Sequence, residues 1–452
     1  MSVKVQINMG IVEGFLEGNI RKWYGIPYAE QPIGDLRFKK TKAKKSWKGV
    51  LETKRFSPKC PQLPTSTGKD NGLEQNEDCL YLNIWAPKDK ATKLPVIFWI
   101  HGGALASGEG SNDAYYGDSF AENGVILVTF NYRLGIFGGF YNLSKLSGLE
   151  EYVPNAGVYD VLEALKWVNE NIQAFGGDVN NITIMGESAG ATIVAALMHL
   201  PYAKGLFHKA ILQSMSNLTF KDDEEFYEVE RLLDAYGLGK EDASNLLHMN
   251  TEELMEGQNK YSGGNAMNAQ CRPVVDGKLF TGHLVEIIEK GDSQGIPILI
   301  GTNCDEGSMF LEKVDHWNKD ARVQMLTDKL FVFTTTILAN KQSKTDKAFV
   351  YRFDFTPAIA KSIKLKAYHG AEIVYVFNRL NSSMANVIKG VKEAKEISNL
   401  MHFAWIQFAK TGNPGWNQYN EKDQAFFVFD TESHLEKGYS NITSDKLCDR
   451  KK

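Results

Sequence analysis

The chain has 452 residues, 43% hydrophobic and 23% charged, with 51 lysines and arginines against 55 acids for a net charge of −4. That length can bury a large core, and the near-balanced charge gives no electrostatic ground for nucleic acid as a partner. Five cysteines without a C-x-x-C pair build neither a disulfide framework nor a zinc site, and no P-loop or G-x-G-x-x-G turn is present, so no metal and no cofactor is expected.

In chain order, the first ten residues, "MSVKVQINMG", contain no apolar leader core, which points to a cytoplasmic setting. "VKVQIN", "IVEGFLEG" and "IRKWYGIPYA" alternate and carry turn glycines, predicting a small N-terminal antiparallel sheet. The basic run 37–49, "RFKKTKAKKSWKG", reads as a solvated face. From about residue 80 buried-strand runs alternate with helical stretches. The strands are 79–87, 94–100, 125–132, 181–185, 209–215, 296–301, 348–355 and 425–430; the clearest helices are 158–175, 191–200 and 393–412. Apolar, β-branched strands interleaved with helices imply an α/β fold: a central, mostly parallel sheet flanked by helices. Its functional groups belong on loops at the C-terminal strand ends. The apolar runs "PVIFWI" (95–100) and "ATIVAALM" (191–198) are too short to span a membrane. No linker cuts the chain, so a single domain 1–452 is expected, with a helical insertion at about 220–265.

Two G-x-S-x-G matches occur, around Ser188 ("GESAG") and Ser293 ("GDSQG"). Ser188 follows the strand "NITIM" and opens the helix "ATIVAALMHL", the strand–turn–helix setting that a nucleophile elbow requires. Ser293 has the reverse setting, between the helical "LVEIIEKG" and the strand "IPILIG", and reads as a loop residue at the opposite edge of the sheet. A serine nucleophile needs a base, a group that orients the base, and donors aimed at the oxyanion. "HGGALASG" (101–108) follows the strand "LPVIFWI" in the position from which such donors come, and Ala189, next after the serine, adds another N–H.

"YGIPYA", "EDCLYLNIW", "WIHGGA", "FNYRLG", "FGGDVNNITIMGESAGA", "IPILIGTNCDEG", "AYHGAEIVYVF" and "FAKTGNP" follow one another along nearly the whole chain. Together they resemble the type-B carboxylesterases of the α/β-hydrolase fold, the family that includes the cholinesterases, and a bacterial-type carboxylesterase in particular. The residues alone leave Asp305 and Glu306 as alternatives for the acid; the resemblance implies Glu306. It also implies His369 as base, with backbone N–H groups of Gly103, Ala104 and Ala189 as the oxyanion hole. The other histidines lack such a context: His199, His208 and His402 read as structural, and His101 as a support of the oxyanion loop. The resemblance further implies a disulfide between Cys60 and Cys79, which a cytoplasmic setting would keep reduced, and ion pairs Arg37–Glu77 and Arg133–Asp160. A monomeric serine carboxylesterase acting on a small-molecule ester is thus expected. The alternatives are a lipase-like hydrolase of longer acyl esters, or a non-catalytic binding member of the family.

The chain departs from the family pattern in four places. Ala104 stands where the oxyanion run has its third glycine. The loop between Cys60 and Cys79 has no aromatic residue to hold a quaternary ammonium, so choline esters are not the expected substrates. Met215 replaces a small residue in "QSMSN", where it would narrow the pocket floor. Only 62 residues separate Glu306 from His369, a shortfall centred on 311–326 that shortens the wall region at about 311–345 and predicts a more open pocket.

Overall fold

Runs of Val, Ile, Leu, Phe and Trp with no polar alternation can only be buried on both faces, and they form the middle of the sheet. The structure, a computed structural model, describes residues 1–64, 71–89, 91–216, 226–291, 293, 295–311, 319–362 and 366–441. Its strands are β1 (Ser2–Ile7), β2 (Gly10–Glu17), β3 (Ile20–Pro27), β4 (Val50–Glu52), β5 (Tyr81–Pro87), β6 (Leu94–Ile100), β7 (Ile126–Phe130), β8 (Gly177–Glu187), β9 (Lys209–Gln213), β10 (Ile298–Asn303), β11 (Ala348–Phe353), β12 (Phe426–Phe429) and β13 (His434–Glu436). They lie in one sheet in the order β1-β2-β3-β5-β7-β6-β8-β9-β10-β11-β12-β13, with β4 beside β2.

From β7 to β12 every neighbouring pair is parallel. β1, β2, β3 and β5 pair antiparallel and join the large sheet through β5 and β7, so the small N-terminal antiparallel part is its leading edge. Alternate residues of β6 point to opposite faces. Val96, Phe98 and Ile100 enter a core that also takes in Val158 and Ile193, from helices Ala156–Asn171 and Ala189–His199. Ile97 and Trp99 enter a second core with Trp405, from helix Lys392–Thr411. Helices therefore cover both faces.

The chain runs from β6 to β7 on one side, then crosses back to place β8 on the other side of β6. Connections diverge at this point, leaving a crevice at the carboxyl ends of β6 and β8. Ile100 pairs with Gly186, and Gln213 of β9 with Glu187. The loop after β6 and the turn after β8 thus start at the same height.

Several expected boundaries move. The strand expected at 79–87 begins at Tyr81, and the helix expected at 158–175 runs Ala156–Asn171 before tightening into a 3-10 turn, Ile172–Phe175. Within 220–265, helices Phe226–Ala235 and Thr251–Ser262 are present; 220–225 lie outside the described residues, as do 65–70 of the loop between Cys60 and Cys79 and 312–318 of the wall region expected to be shortened. The basic run is tied down more than expected: Lys39 pairs with Glu151, Lys44 with Glu30 at 3.3 Å, and Lys40 lies 4.7 Å over the Tyr159 ring. Among the described residues no helix is long and apolar enough to cross a membrane.

Two ion pairs lock loops onto this frame. Arg37 makes two contacts to Glu77 and a third to the Met249 carbonyl. Arg133 grips Asp160 through Nε and Nη2, both at 2.8 Å, while its backbone N–H also reaches Asp160 at 3.0 Å. Arg133 and Asp160 are buried. Removing one partner strands a charge in the interior, so Asp160→Ala is expected to cost about 3–5 kcal/mol of stability, measured as a lowered urea midpoint.

Candidate active site

β8 ends on Glu187 and the helix Ala189–His199 begins two residues later, so the whole reversal falls on Ser188, the one residue between them. Its backbone sits at φ 55°, ψ −122°, a region that costs a non-glycine residue about 1–3 kcal/mol. Close packing keeps it there. A Cβ on Gly190 would overlap the Ile100 carbonyl of β6, and one on Gly186 would overlap the backbone of Gly190. The Ser188 N–H is held by the Gln213 carbonyl at 2.9 Å, and its carbonyl accepts from Thr192 N–H at 3.0 Å. The spacing G-x-S-x-G is thus a packing requirement of a strand, a turn and a helix against a neighbouring strand.

His369 reaches Ser188 from the loop before helix Ile373–Val376, with Nε2 2.8 Å from Ser188 Oγ. Its Nδ1 lies 2.6 Å from Glu306 Oε2. Glu306 is fully buried just past β10, and its other oxygen accepts from Asn303 N–H at 2.7 Å and from Ser214 Oγ at 2.5 Å. Asp305, the alternative acid, faces away, toward Lys366 at 3.5 Å. The three residues expected from the sequence are therefore one hydrogen-bonded line. Ser293 is buried in the connection that enters β10 at its N-terminal end, whereas Glu306 follows its C-terminal end; Asp292 and Gln294 beside Ser293 lie outside the described residues.

The loop after β6 coils back with positive φ at Gly103 (110°), Ala104 (55°) and Leu105 (58°). Among the described residues neither the Gly103 nor the Ala104 N–H has a backbone acceptor. Ala104 adopts the left-handed conformation that glycine would take at no steric cost. His101 underpins the loop: it stacks on Tyr132 at 4.4 Å, and Tyr132 Oη donates to the His101 carbonyl at 2.9 Å. Burial lowers its imidazole to about 4, so it stays neutral. His402 is satisfied by Ser119 and the Val376 carbonyl, a structural role.

Four features went unread in the sequence. Glu187, the second residue of the "GESAG" motif, places Oε1 3.3 Å from His369 Nε2. Burial, opposed by His369 and reinforced by Glu372, raises its carboxyl to about 8. Burial alone would depress His369, but Glu187 and Glu306 outweigh it and raise the imidazole to about 9. Glu372, in "HGAEIVYVF", accepts from Gln213 Nε2 at 3.0 Å and Asn303 Nδ2 at 2.6 Å, and Trp405 Nε1 in turn donates to Gln213 at 3.1 Å. Ser214, the first serine of "QSMSN", supplies a donor to Glu306. Finally, Phe331 and Phe310 cover His369 with ring centroids at 4.7 and 5.6 Å. Phe331 sits in a π-helical turn, Asp328–Val332, inside an otherwise α-helical stretch. Glu187, Glu372 and Ser214 lie inside motifs already noticed, so carboxyl and hydroxyl positions in those motifs were the available signal. Phe331 had none.

Met215 is fully buried, and its carbonyl accepts from Thr334 at 3.0 Å. Cys60 and Cys79 are buried free thiols, and a hydrogen bond that the Cys79 thiol donates to Cys60, then burial, pushes the Cys79 thiol up.

A family model described as the carboxylesterase family matches residues 1–322 and 313–446. The chain belongs to the carboxylesterase family. Among its relatives, the para-nitrobenzyl esterase of Bacillus subtilis is 35% identical, with 98% of each chain covered. The fumonisin B1 esterase of Sphingopyxis macrogoltabida is 32% identical, over 90% of this chain and 81% of that one. Solved carboxylesterase-family structures superpose closely: a PNB esterase at TM-score 0.88, with 35% identity and 96% and 97% coverage, and a carboxylesterase of Geobacillus stearothermophilus at 0.85 with the same identity and coverage. The α/β-hydrolase fold and the carboxylic ester hydrolase class follow. The alignment to the Bacillus protein has 484 positions, more than this carboxylesterase has residues, so the chain carries gaps relative to it. The two matched segments of the family model meet at 313–322, within the stretch 311–326 where the shortfall was expected.

Because the turn depends on backbone contact at Gly190, Gly190→Ala is expected to cost at least about 1–3 kcal/mol in chemical denaturation and to reduce ester turnover at the same time.

Proposed function

We propose that the protein is a serine carboxylesterase working through an acyl-serine intermediate. The observation that carries this is the continuous line from Ser188 Oγ to His369 Nε2 at 2.8 Å and from Nδ1 to Glu306 at 2.6 Å. Ser188 attacks the ester carbonyl while His369 takes its proton. Glu306 fixes the imidazole tautomer and offsets the imidazolium charge. The N–H groups of Gly103, Ala104 and Ala189 hold the oxyanion, where each well-placed donor contributes about 3 kcal/mol. His369 then returns the proton to the leaving alcohol, and a water activated by His369 releases the acid from Ser188. The substrate is a small-molecule ester.

Ser188→Ala is expected to lower hydrolysis of a chromogenic ester by several orders of magnitude with an unchanged circular dichroism spectrum. A fluorophosphonate should label the parent chain and leave the variant unlabelled. Near-normal turnover in the variant would overturn the assignment.

The shortened wall supports a broad entrance. Phe310, one of the two rings over His369, is 38% exposed, and Met325 and Phe333 of the wall region are 58% and 51% exposed. Esters with bulky acyl or alcohol parts are expected to be turned over at rates comparable to small ones. A panel varied separately in the two parts measures this; strict preference for very short acyl chains would contradict it.

A further inference from the structure

The loop after β6 is strained and has to be held. Ala104 and Leu105 are consecutive non-glycine residues in the left-handed region, at φ 55° and 58°. Such a conformation persists only where its surroundings over-determine it. The tip is closed by backbone bonds: the Gly103 carbonyl accepts from the Ala106 and Ser107 N–H groups, both at 3.0 Å, and the Leu105 carbonyl from Gly135 N–H at 2.8 Å. The leg that returns from the tip, 107–111, belongs to no strand, so its polar groups need side chains as partners.

Gln62 supplies them at Gly108. Its Oε1 accepts from the Gly108 N–H at 2.7 Å, and its Nε2 donates to the Gly108 carbonyl at 3.0 Å. One amide thus gives Gly108 the donor and acceptor pair that a neighbouring strand would give. Gly108 in turn lies on the start of the loop. A Cβ on it would overlap His101 Nδ1 and the Gly102 carbonyl, which are themselves hydrogen-bonded at 2.8 Å. Two residues on, Gly110 is tied to the sheet, its N–H to Asn131 at 2.8 Å and its carbonyl to the Thr129 hydroxyl at 2.6 Å. Gln62 comes from elsewhere, the loop between Cys60 and Cys79. Its backbone N–H is held by Gln75 at 2.8 Å, and its Nε2 also donates to the Cys60 carbonyl at 3.0 Å, so its aim is set independently of Gly108.

We propose that Gln62 is a positioning residue of the ester-hydrolysing site: its amide holds Gly108 on Gly102 and thereby keeps the Gly103 and Ala104 N–H groups aimed where the oxyanion forms. Among the described residues those two N–H groups have no backbone acceptor, and both residues are partly exposed. Without the clamp, Ala104 and Leu105 relax out of the left-handed region and turn the donors away. Gln62 acts through the loop, so it serves the tetrahedral state rather than the bound ester. Acyl transfer to Ser188 and release of the acid both pass through an oxyanion, and both slow together. An amide is what the position requires. A carboxylate at 62 could accept from the Gly108 N–H but would face the Gly108 and Cys60 carbonyls with no donor; a protonated carboxyl restores one.

This inference rests on the serine-ester reading, and the test separates the two. kcat and KM for a nitrophenyl ester are measured in the parent chain, Gln62→Met and Gln62→Glu, with folding followed by circular dichroism. So is the Ki of a trifluoromethyl ketone, whose carbonyl carbon bonds to Ser188 Oγ and whose oxygen becomes the oxyanion. Gln62→Met keeps the length of the side chain and loses both bonds to Gly108. Its kcat is expected to fall about 10- to 100-fold, the range for a misplaced reacting geometry, with KM within about threefold of the parent. The ketone Ki is expected to rise by the same factor as kcat/KM falls. Gln62→Glu is expected to be impaired at about pH 8 and to recover relative to the parent toward about pH 5, as its carboxyl binds a proton, while the Gln62→Met ratio stays flat. A folded Gln62→Met with parental kcat, a loss confined to KM, or a Gln62→Glu ratio that does not move with pH overturns the proposal. Failure of both variants to fold overturns it too, since Gln62 would then be a residue of the fold. A parent chain that neither binds the ketone nor takes a fluorophosphonate label would instead remove the serine reading, and this inference with it.

Discussion

The pairing of Ile100 with Gly186 is the constraint on which the rest of the site depends. It brings the ends of β6 and β8 level at the one place where the chain's connections diverge. From there the loop 101–105 and the turn at Ser188 leave side by side. The same contact seats Gly190 on the Ile100 carbonyl and so holds Ser188 in its strained geometry. A register slip of one residue would exchange the faces of β8 and carry the turn away from the loop. The strain is small beside the core that fixes the register, because β6 and β8 run through the middle of a sheet covered by helices on both faces.

Much of this was legible in the sequence because its causes are local. Continuous apolar runs name the central strands, and glycines two residues either side of Ser188 name a turn that must pack backbone to backbone. The different settings of Ser188 and Ser293 were readable too, since only the first has a strand before it and a helix after it. What was not readable involves distance along the chain. Nothing near Glu187 announces that His369, in a loop 182 residues later in the numbering, approaches it as closely as 3.3 Å. Asp305 and Glu306 were likewise inseparable from composition; only the fold turns one inward and the other to Lys366. Phe331 was hidden by a different cause. It owes its place over His369 to a helical irregularity, and no periodic pattern marks a one-residue insertion in a helix.

Burial of several acids around one imidazole sets the electrostatic character of the site. Donors decide which acids can carry charge cheaply. Asn303 is central here, giving its backbone N–H to Glu306 and its side-chain amide to Glu372. Trp405 fixes Gln213 and, through it, Glu372, so helix Lys392–Thr411 reaches the site without touching Ser188. The network holds two carboxyls in place and leaves the third, Glu187, to answer to its surroundings.

The π-turn at Asp328–Val332 makes the wall sensitive to length as well as to sequence. An α-helix advances about 100° per residue. Removing one residue there would let the helix relax to regular geometry and swing Phe331 by about that angle, moving one of the two rings that cover the imidazole with every motif of the chain intact. Relatives that differ by a single deletion in this segment would then diverge in the shelter of the imidazole while remaining alike at every residue that chemistry alone would single out.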